Sequence, residues 1–296
     1  MQASLSIKSI FNLEVMLMAV KVITDSTSDL PSDIVADLNL SIVPIYVRFG
    51  ENIYRQGIDI SDDEFYARIQ TSPVHPATSQ PPPEDFISVY NKSLEQSEQV
   101  VSIHVSSKLS GTHNSALLAR SMLMAERDIK IIDSKLNSAG LGLVAMAAAR
   151  IANAGGSLDD VVFEANRAIV QVKMFGMFNT MKYLALSGRV SKVIASAASI
   201  LDIKPLLTFK DGQVVRAGFA RTLSKGMERI CQYVAANRNL MELFIVHSAV
   251  PEWAGQLKKK LGDYFPEDKI LITQLGAALG VHGGPGVLLV AFRRAA

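Results

Sequence analysis

The sequence predicts an α/β protein: a doubly wound parallel sheet in the first half, then a smaller, two-layer α/β unit on a mixed sheet. Three apolar, β-branched runs, at 20–26, 100–107 and 129–134, each end in hydroxyl or acid residues and lead into helical patterns opening near Ser32, Thr112 and Ser138. Strand followed by helix, repeated, is the pattern of a parallel sheet with crossover helices. The third helix runs into Gly155-Gly156, where glycines supply the positive φ that commonly ends a helix, so a domain boundary falls nearby. Beyond it the strands are closely spaced with fewer crossovers, as in a mixed sheet.

Taken in order, residues 1–18 read as an N-terminal extension, because Asn12 and Glu14 interrupt any apolar stretch and the first convincing strand opens near Val20. Residues 19–156 form the parallel-sheet domain. Within it Pro81-Pro82-Pro83 marks a rigid loop before a short helix at 84–90. Residues 157–296 form the second domain, with helices at 158–172, 181–186, 224–236 and 251–261 chosen for their helical apolar spacing. Its strands, at 173–179, 205–209, 214–220, 243–247, 269–274 and 287–293, are short β-branched or aliphatic runs.

At 296 residues, with 49% hydrophobic and 20% charged side chains, the chain can bury a large core. It contains no run of about 18 uncharged apolar residues, so no spanning helix is expected. A net charge of +2, with acids and bases interspersed, offers no basic run for a nucleic acid backbone. The single cysteine, Cys231, excludes an internal disulfide and fits a cytoplasmic setting. The five histidines show no metal-ligand spacing, and no phosphate loop is present, so neither metal nor cofactor is expected.

In a parallel sheet of this kind ligands sit beyond the carboxyl ends of the strands. Thr24-Asp25-Ser26, Ser106-Ser107 and Asp133-Ser134 should therefore share one rim. Ser106-Ser107-Lys108-Leu109-Ser110-Gly111-Thr112 joins a strand to a helix, placing hydroxyls and free N–H groups where the helix dipole is positive. That arrangement suits an anion; equally, Ser110 or Thr112 is an ordinary helix cap. Ala77-Thr78-Ser79-Gln80-Pro81 is a second hydroxyl-rich loop, stiffened by prolines, which serves either a ligand contact or a plain turn. Gly280-Val281-His282-Gly283-Gly284-Pro285-Gly286 places His282 in a glycine-rich loop, where an imidazole could meet a carboxylate. In Leu186-Ser187-Gly188-Arg189, the arginine could offer its planar fork to a carboxylate or phosphate, or lie solvated. Gly140-Leu141-Gly142-Leu143-Val144-Ala145 matches a dinucleotide fingerprint but starts several residues after its strand, so it reads as small residues for close packing. A catalytic alternative combines Ser110 as nucleophile, His282 as base, and Asp25 or Asp133 as orienting acid, making a serine hydrolase acting on a lipid or other ester.

In this order and spacing, Thr24-Asp25-Ser26-Thr27-Ser28-Asp29-Leu30-Pro31, Thr78-Ser79-Gln80-Pro81, Ser107 to Thr112, Gly188-Arg189, Asp202-Ile203-Lys204-Pro205 and His282-Gly283-Gly284-Pro285-Gly286 resemble the DegV family. The resemblance implies a three-layer α/β/α parallel-sheet domain, a smaller α/β domain, and one long-chain fatty acid held between them. It implies that Thr78 and Ser110 hydrogen-bond the carboxylate, with Ser79, the backbone at Gly111 and Thr112, and His282 nearby. Some members are the fatty-acid-binding subunit of a bacterial fatty acid kinase and pass the carboxylate to an ATP-binding partner to become an acyl phosphate. The resemblance then gives Arg189 and Lys204 a partner or phosphate contact, although Ser187 stands where the common pattern is Gly-Gly-Arg. Ala195, Ala198, Ile200 and Leu201 are candidates for the acyl tunnel wall.

Overall fold

The computed structural model describes residues 18–123, 128–188 and 203–295. The extension expected at 1–18, apart from Met18, lies outside these residues, as do Arg189, Ala195, Ala198, Ile200 and Leu201.

A parallel sheet contains β1 (Met18–Asp25), β2 (Ser41–Val43), β6 (Ser97–His104) and β7 (Ile129–Asp133) in the order β2-β1-β6-β7. Its outer face carries α3 (Pro83–Leu94) and α4 (Thr112–Met122), which bury Phe86, Tyr90, Ala116 and Ala119 against Ile23 and Val100. The inner face meets α5 (Ser138–Asn153) and α6 (Leu158–Gln171), so the first sheet lies between two helical layers, as expected. Apart from Ser138 at its start and exposed Arg150 and Asn153 in its last turn, α5 is apolar and small, which suits a helix buried between two layers. It lies between the parallel sheet and a second sheet, and nearly all of it is buried. Gly140 and Gly142 allow this, since a Cβ would lie 2.3 Å from Met174 Sδ and 2.8 Å from the Ser28 carbonyl oxygen respectively. The fingerprint-like run is thus a packing surface.

The second sheet is mixed, in the order β10 (Gln213–Ala220), β9 (Lys204–Lys210), β8 (Val172–Met177), β13 (Leu288–Arg294), β11 (Leu240–His247), β12 (Ile270–Gln274). Only the β11–β12 pair is parallel. α8 (Leu223–Ala236) and α9 (Pro251–Leu261) cover its outer face over Phe175, Ile245 and Phe292. Its inner face rests on α5, so one core runs continuously from Val20 and Val101 through α5 to Val246 and Leu289.

Two features depart from the sequence reading. A three-stranded antiparallel sheet, β3 (Tyr46–Phe49), β4 (Asn52–Arg55) and β5 (Ala77–Ser79), together with α2 (Asp62–Thr71), occupies a stretch in which the sequence reading named only the hydroxyl-rich loop. The strands are too short, and their faces too mixed, to show a period of two. Second, His282 does not sit in a loop. It lies in the last turn of a short helix, α10 (Ala277–Gly283), and the glycine-rich turn follows it. Packing against α2 and β3 overrides the weak helix preference of its glycines.

Candidate functional site

The site lies where chain topology places it. Leaving β1 the chain turns to β2 on one side, while β6 lies on the other, so the connections after β1 and β6 diverge and leave a crevice between them. Thr27 follows β1 and Ser107 to Gly111 follow β6, and both border a cavity of about 400 Å³. That lies within the range of about 300–1,000 Å³ usual for small-molecule sites. One wall is apolar: Met174 and Phe178 from the β8 segment, Leu207 and Phe209 from β9, Leu289 from β13, and Leu279 from α10. The polar lining gathers Thr78, Ser79, Gln80, Ser110, Gly111 and His282.

This polar end is assembled from three distant stretches. Thr78 comes from β5, held beside β3 through its pairing with Val47. Its Oγ1 lies 3.1 Å from His282 Nε2, joining residues 204 positions apart. Ser110 precedes α4, and its Oγ lies 2.8 Å from Thr112 Oγ1 and accepts from the Thr112 N–H at 3.3 Å. Ser110 therefore ties the start of α4, while its position on the wall exposes it to a ligand. Gln80 lies flat over Gly111, where a Cβ would come within 2.3 Å of its Oε1; only glycine lets the carboxamide settle there. Lys108 stands exposed at the rim and brings a positive charge to the mouth.

His282 is positioned through the far end of α10. The N–H of Ala277 donates to Asp62 Oδ1 at 2.8 Å, and that of Ala278 to Gln56 Oε1 at 3.1 Å. Gly276 N–H donates to Asp29 Oδ1 at 3.0 Å, while Ser138 Oγ donates to Asp29 Oδ2 at 2.6 Å. Asp29 thus links the starts of α5 and α10. Burial drives its carboxyl well above the usual range, opposed by the Ser138 and Gly276 donors.

Burial, opposed by the Ala277 N–H and reinforced by Asp63, lifts Asp62 from 3.8 to about 6. A carboxyl with a raised folded-state pKa favours folding while protonated; that contribution is complete below the unfolded value and is lost as pH rises through the folded one. Stability should therefore fall between pH 3.8 and about 6, by on the order of 3 kcal/mol. Asp62→Asn keeps an acceptor for Ala277 and should remove that part of the slope. Urea unfolding of both proteins across the window checks this, and parallel profiles would reject it.

Comparison with known proteins decides the family. The model for "uncharacterised protein, DegV family" matches residues 19–294. The chain belongs to the DegV family. A DegV family protein from Thermus thermophilus, described by its fatty acid binding, superposes with a TM-score of 0.85 at 32% identity, over 93% of this chain and 100% of that one. DegV from Bacillus subtilis, described as a fatty acid binding protein, gives 0.83 at 28% identity over 94% and 100%. A stearic acid-binding protein from Eubacterium ventriosum gives 0.84 at 27% identity over 93% and 98%.

Of the residues that the DegV motifs single out here, Thr78, Ser79, Ser110, Gly111 and His282 all line the cavity. Thr112 does not; it is fully buried, with its Oγ1 2.8 Å from Ser110 Oγ. Lys204 lies off the cavity wall, its Nζ donating to Asn179 Oδ1 at 2.6 Å, and Asn179 packs against Gly286 in the turn after α10. Arg189 is outside the described residues.

The hydrolase combination does not assemble, because its acids serve other partners. Asp133 accepts from the Ser107 hydroxyl and N–H. Asp25 accepts from the Val105 and Thr27 N–H groups, and its Oδ2 lies 3.0 Å from His104 Nδ1. Ser110 is turned to Thr112, and His282 Nε2 to Thr78. The rim itself is real: Ser107 and Asp133 bridge the ends of β6 and β7, and Asp25 joins those of β1 and β6.

Sequence reasoning did not select Thr27, Gln80, Lys108, Asn137 or Thr208, all of which border the cavity. The first three stood inside the quoted DegV motifs, so their signal was present. Asn137 and Thr208 carried none. Among the described residues no helix is long and apolar enough to cross a membrane, and no three His, Cys, Asp or Glu side chains gather as metal ligands.

Proposed function

We propose that this chain holds one long-chain fatty acid, with its carboxylate at the Thr78–Ser110–His282 end and its acyl chain along the apolar wall. The carrying observation is the cavity itself, which joins hydroxyls and an imidazole at Thr78, Ser110 and His282 to apolar side chains from β8, β9, β13 and α10. A chain of about fifteen methylenes gains roughly 12 kcal/mol on burial before ordering and association costs, so the tail supplies affinity and the hydroxyls supply orientation. The fatty acid binding described for the Thermus and Bacillus relatives supports the same ligand class. The ligand would lie between the units proposed at 19–156 and 157–296, since both contribute to the wall.

The chain acts as a carrier, presenting the carboxylate to an ATP-binding kinase partner that converts it to an acyl phosphate in the cytoplasm. The likeness of its motifs to those of fatty acid kinase subunits supports this, as do Lys108 at the mouth and Lys204 beside the turn that follows His282. Arg189 is the further cation proposed for that contact.

Native mass spectra of the purified protein, before and after solvent extraction, should differ by the mass of a fatty acid. Thr78→Ala and Ser110→Ala should each weaken fatty acid binding by roughly 10- to 100-fold, the worth of a hydrogen bond to a charged group, with the fold retained. Unchanged affinity in both would remove the assignment of the carboxylate end. For the partner, incubating lipid-loaded protein with an ATP-binding fatty acid kinase subunit and ATP should yield acyl phosphate, trapped by hydroxylamine as a hydroxamate. No product from the loaded protein would reject the kinase role while leaving the carrier role standing.

A further inference from the structure

Behind the head-group loops, four polar side chains form a chain sealed within the parallel-sheet layer. Tyr90 OH donates to Ser102 Oγ at 3.1 Å, Ser102 Oγ lies 2.6 Å from His104 Nε2, and His104 Nδ1 lies 3.0 Å from Asp25 Oδ2. All four residues are 0% exposed. The order Ser–His–Asp is that of a hydrolytic triad, yet Ser102 is enclosed and already accepts from Tyr90.

The donors around Asp25 fix the direction of this chain. Backbone N–H groups donate to both oxygens of Asp25, which marks it as the acceptor toward His104 and assigns the proton to Nδ1; Nε2 then accepts from Ser102, whose oxygen accepts from Tyr90. The other oxygen of Asp25 accepts from the N–H and hydroxyl of Thr27, and Oδ2 also accepts from the Val105 N–H at 2.9 Å. Thr27 and Val105 both line the cavity. One carboxylate therefore ties the two connections that flank the crevice, and Val105 leads directly into the loop carrying Ser110 and Gly111.

We propose that Asp25, His104, Ser102 and Tyr90 form a positioning relay for the carboxylate-binding loops, in which the Nδ1–H of His104 holds Asp25 in the orientation that fatty acid binding requires. The inference rests on the fatty acid reading above and adds positioning residues to that site. His104 acts here as a fixed donor and not as a base. The Phe86 ring stands perpendicular to the imidazole, with ring centroids 5.1 Å apart.

Asparagine can place an amide N–H where Nδ1 stands, and glutamine where Nε2 stands, so the two substitutions separate donation to Asp25 from donation to Ser102. Palmitate binding would be measured on the full chain for the wild type, His104→Asn and His104→Gln, each with a thermal melt. His104→Asn should bind within about threefold of the wild type and His104→Gln at least about tenfold more weakly. Equal affinities for the two variants would overturn the relay, whether both fell or neither did. Nitrogen-15 spectra of the wild-type histidines provide a second reading that needs no variant to fold. A slowly exchanging Nδ1–H on His104 is expected, and an Nε2–H tautomer would overturn the proposal. Wild-type protein that failed to bind palmitate would count against the fatty acid reading instead, and the tautomer would still judge the hydrogen-bond chain.

Discussion

Replacing Leu279 by aspartate should reduce long-chain fatty acid binding by more than about a hundredfold while leaving the protein folded. Leu279 is half-buried on α10, one turn before His282, and forms part of the apolar wall. A carboxylate at that position keeps its water until an acyl chain enters. The chain would then strip the charge of solvent without offering a partner, at an effective cost of several kcal/mol, and each 1.4 kcal/mol is a factor of ten in affinity. Leu279→Asn, similar in shape and uncharged, should lose much less. Titration with palmitate, alongside urea unfolding of each variant, measures both effects. An aspartate variant that bound like the wild type would mean that the ligand does not run past α10.

The second large effect is expected at Gly280, the next residue of the same helix, which faces Phe65 and Tyr66 of α2. A Cβ there would stand 2.5 Å from Phe65 Cε1 and 2.7 Å from Tyr66 OH. Neither can easily retreat: Phe65 is fully buried, and Tyr66 OH donates to the Leu275 carbonyl at 2.8 Å. Gly280→Ala should therefore cost about 1–3 kcal/mol through overpacking and lower the melting temperature by several degrees. Fatty acid affinity should fall with it, because α10 carries both Leu279 and His282. Gly255, in α9, makes the contrast, since a Cβ there meets nothing within 4 Å. Gly255→Ala should raise stability by up to about 1 kcal/mol, the ordinary helix preference for alanine. Thermal melts of the two variants against the wild type check the pair; similar shifts would show that α10 has room which the packing around Phe65 and Tyr66 denies.

Much of this architecture was written locally. The runs that became β1, β6 and β7 are β-branched and end in hydroxyls and acids, because a strand in a covered parallel sheet is apolar along its length and turns polar where it leaves the layer. The small residues of α5 declared a helix built for close packing on the sheet. Most of the polar end was also legible, because Thr78 and Ser110 stand within the DegV motifs; their loops alone fitted a turn or a helix cap equally well.

The remainder depended on contacts between residues far apart in the chain. The strands of the three-stranded sheet are too short to carry a periodic signal, and they hold their shape by pairing with one another and by packing on α2. Residues 277–283 contain two glycines, and two more follow at 284 and 286, a pattern that alone favours a loop. They become helical because Asp62 and Gln56 satisfy the N–H groups at the start of that segment, while Phe65 and Tyr66 close on Gly280. The serine, histidine and acids that sequence alone could combine into a hydrolase were parted in the same way, each drawn to another hydrogen-bond partner. Residue type and local periodicity thus determined the layers of the sheets and the chemistry on offer at their rim. Which hydroxyl faces which imidazole, and which acid is spent on structure, was decided by packing, because a hydrogen bond of about 3 Å between residues 204 positions apart leaves no trace in the spacing of either one.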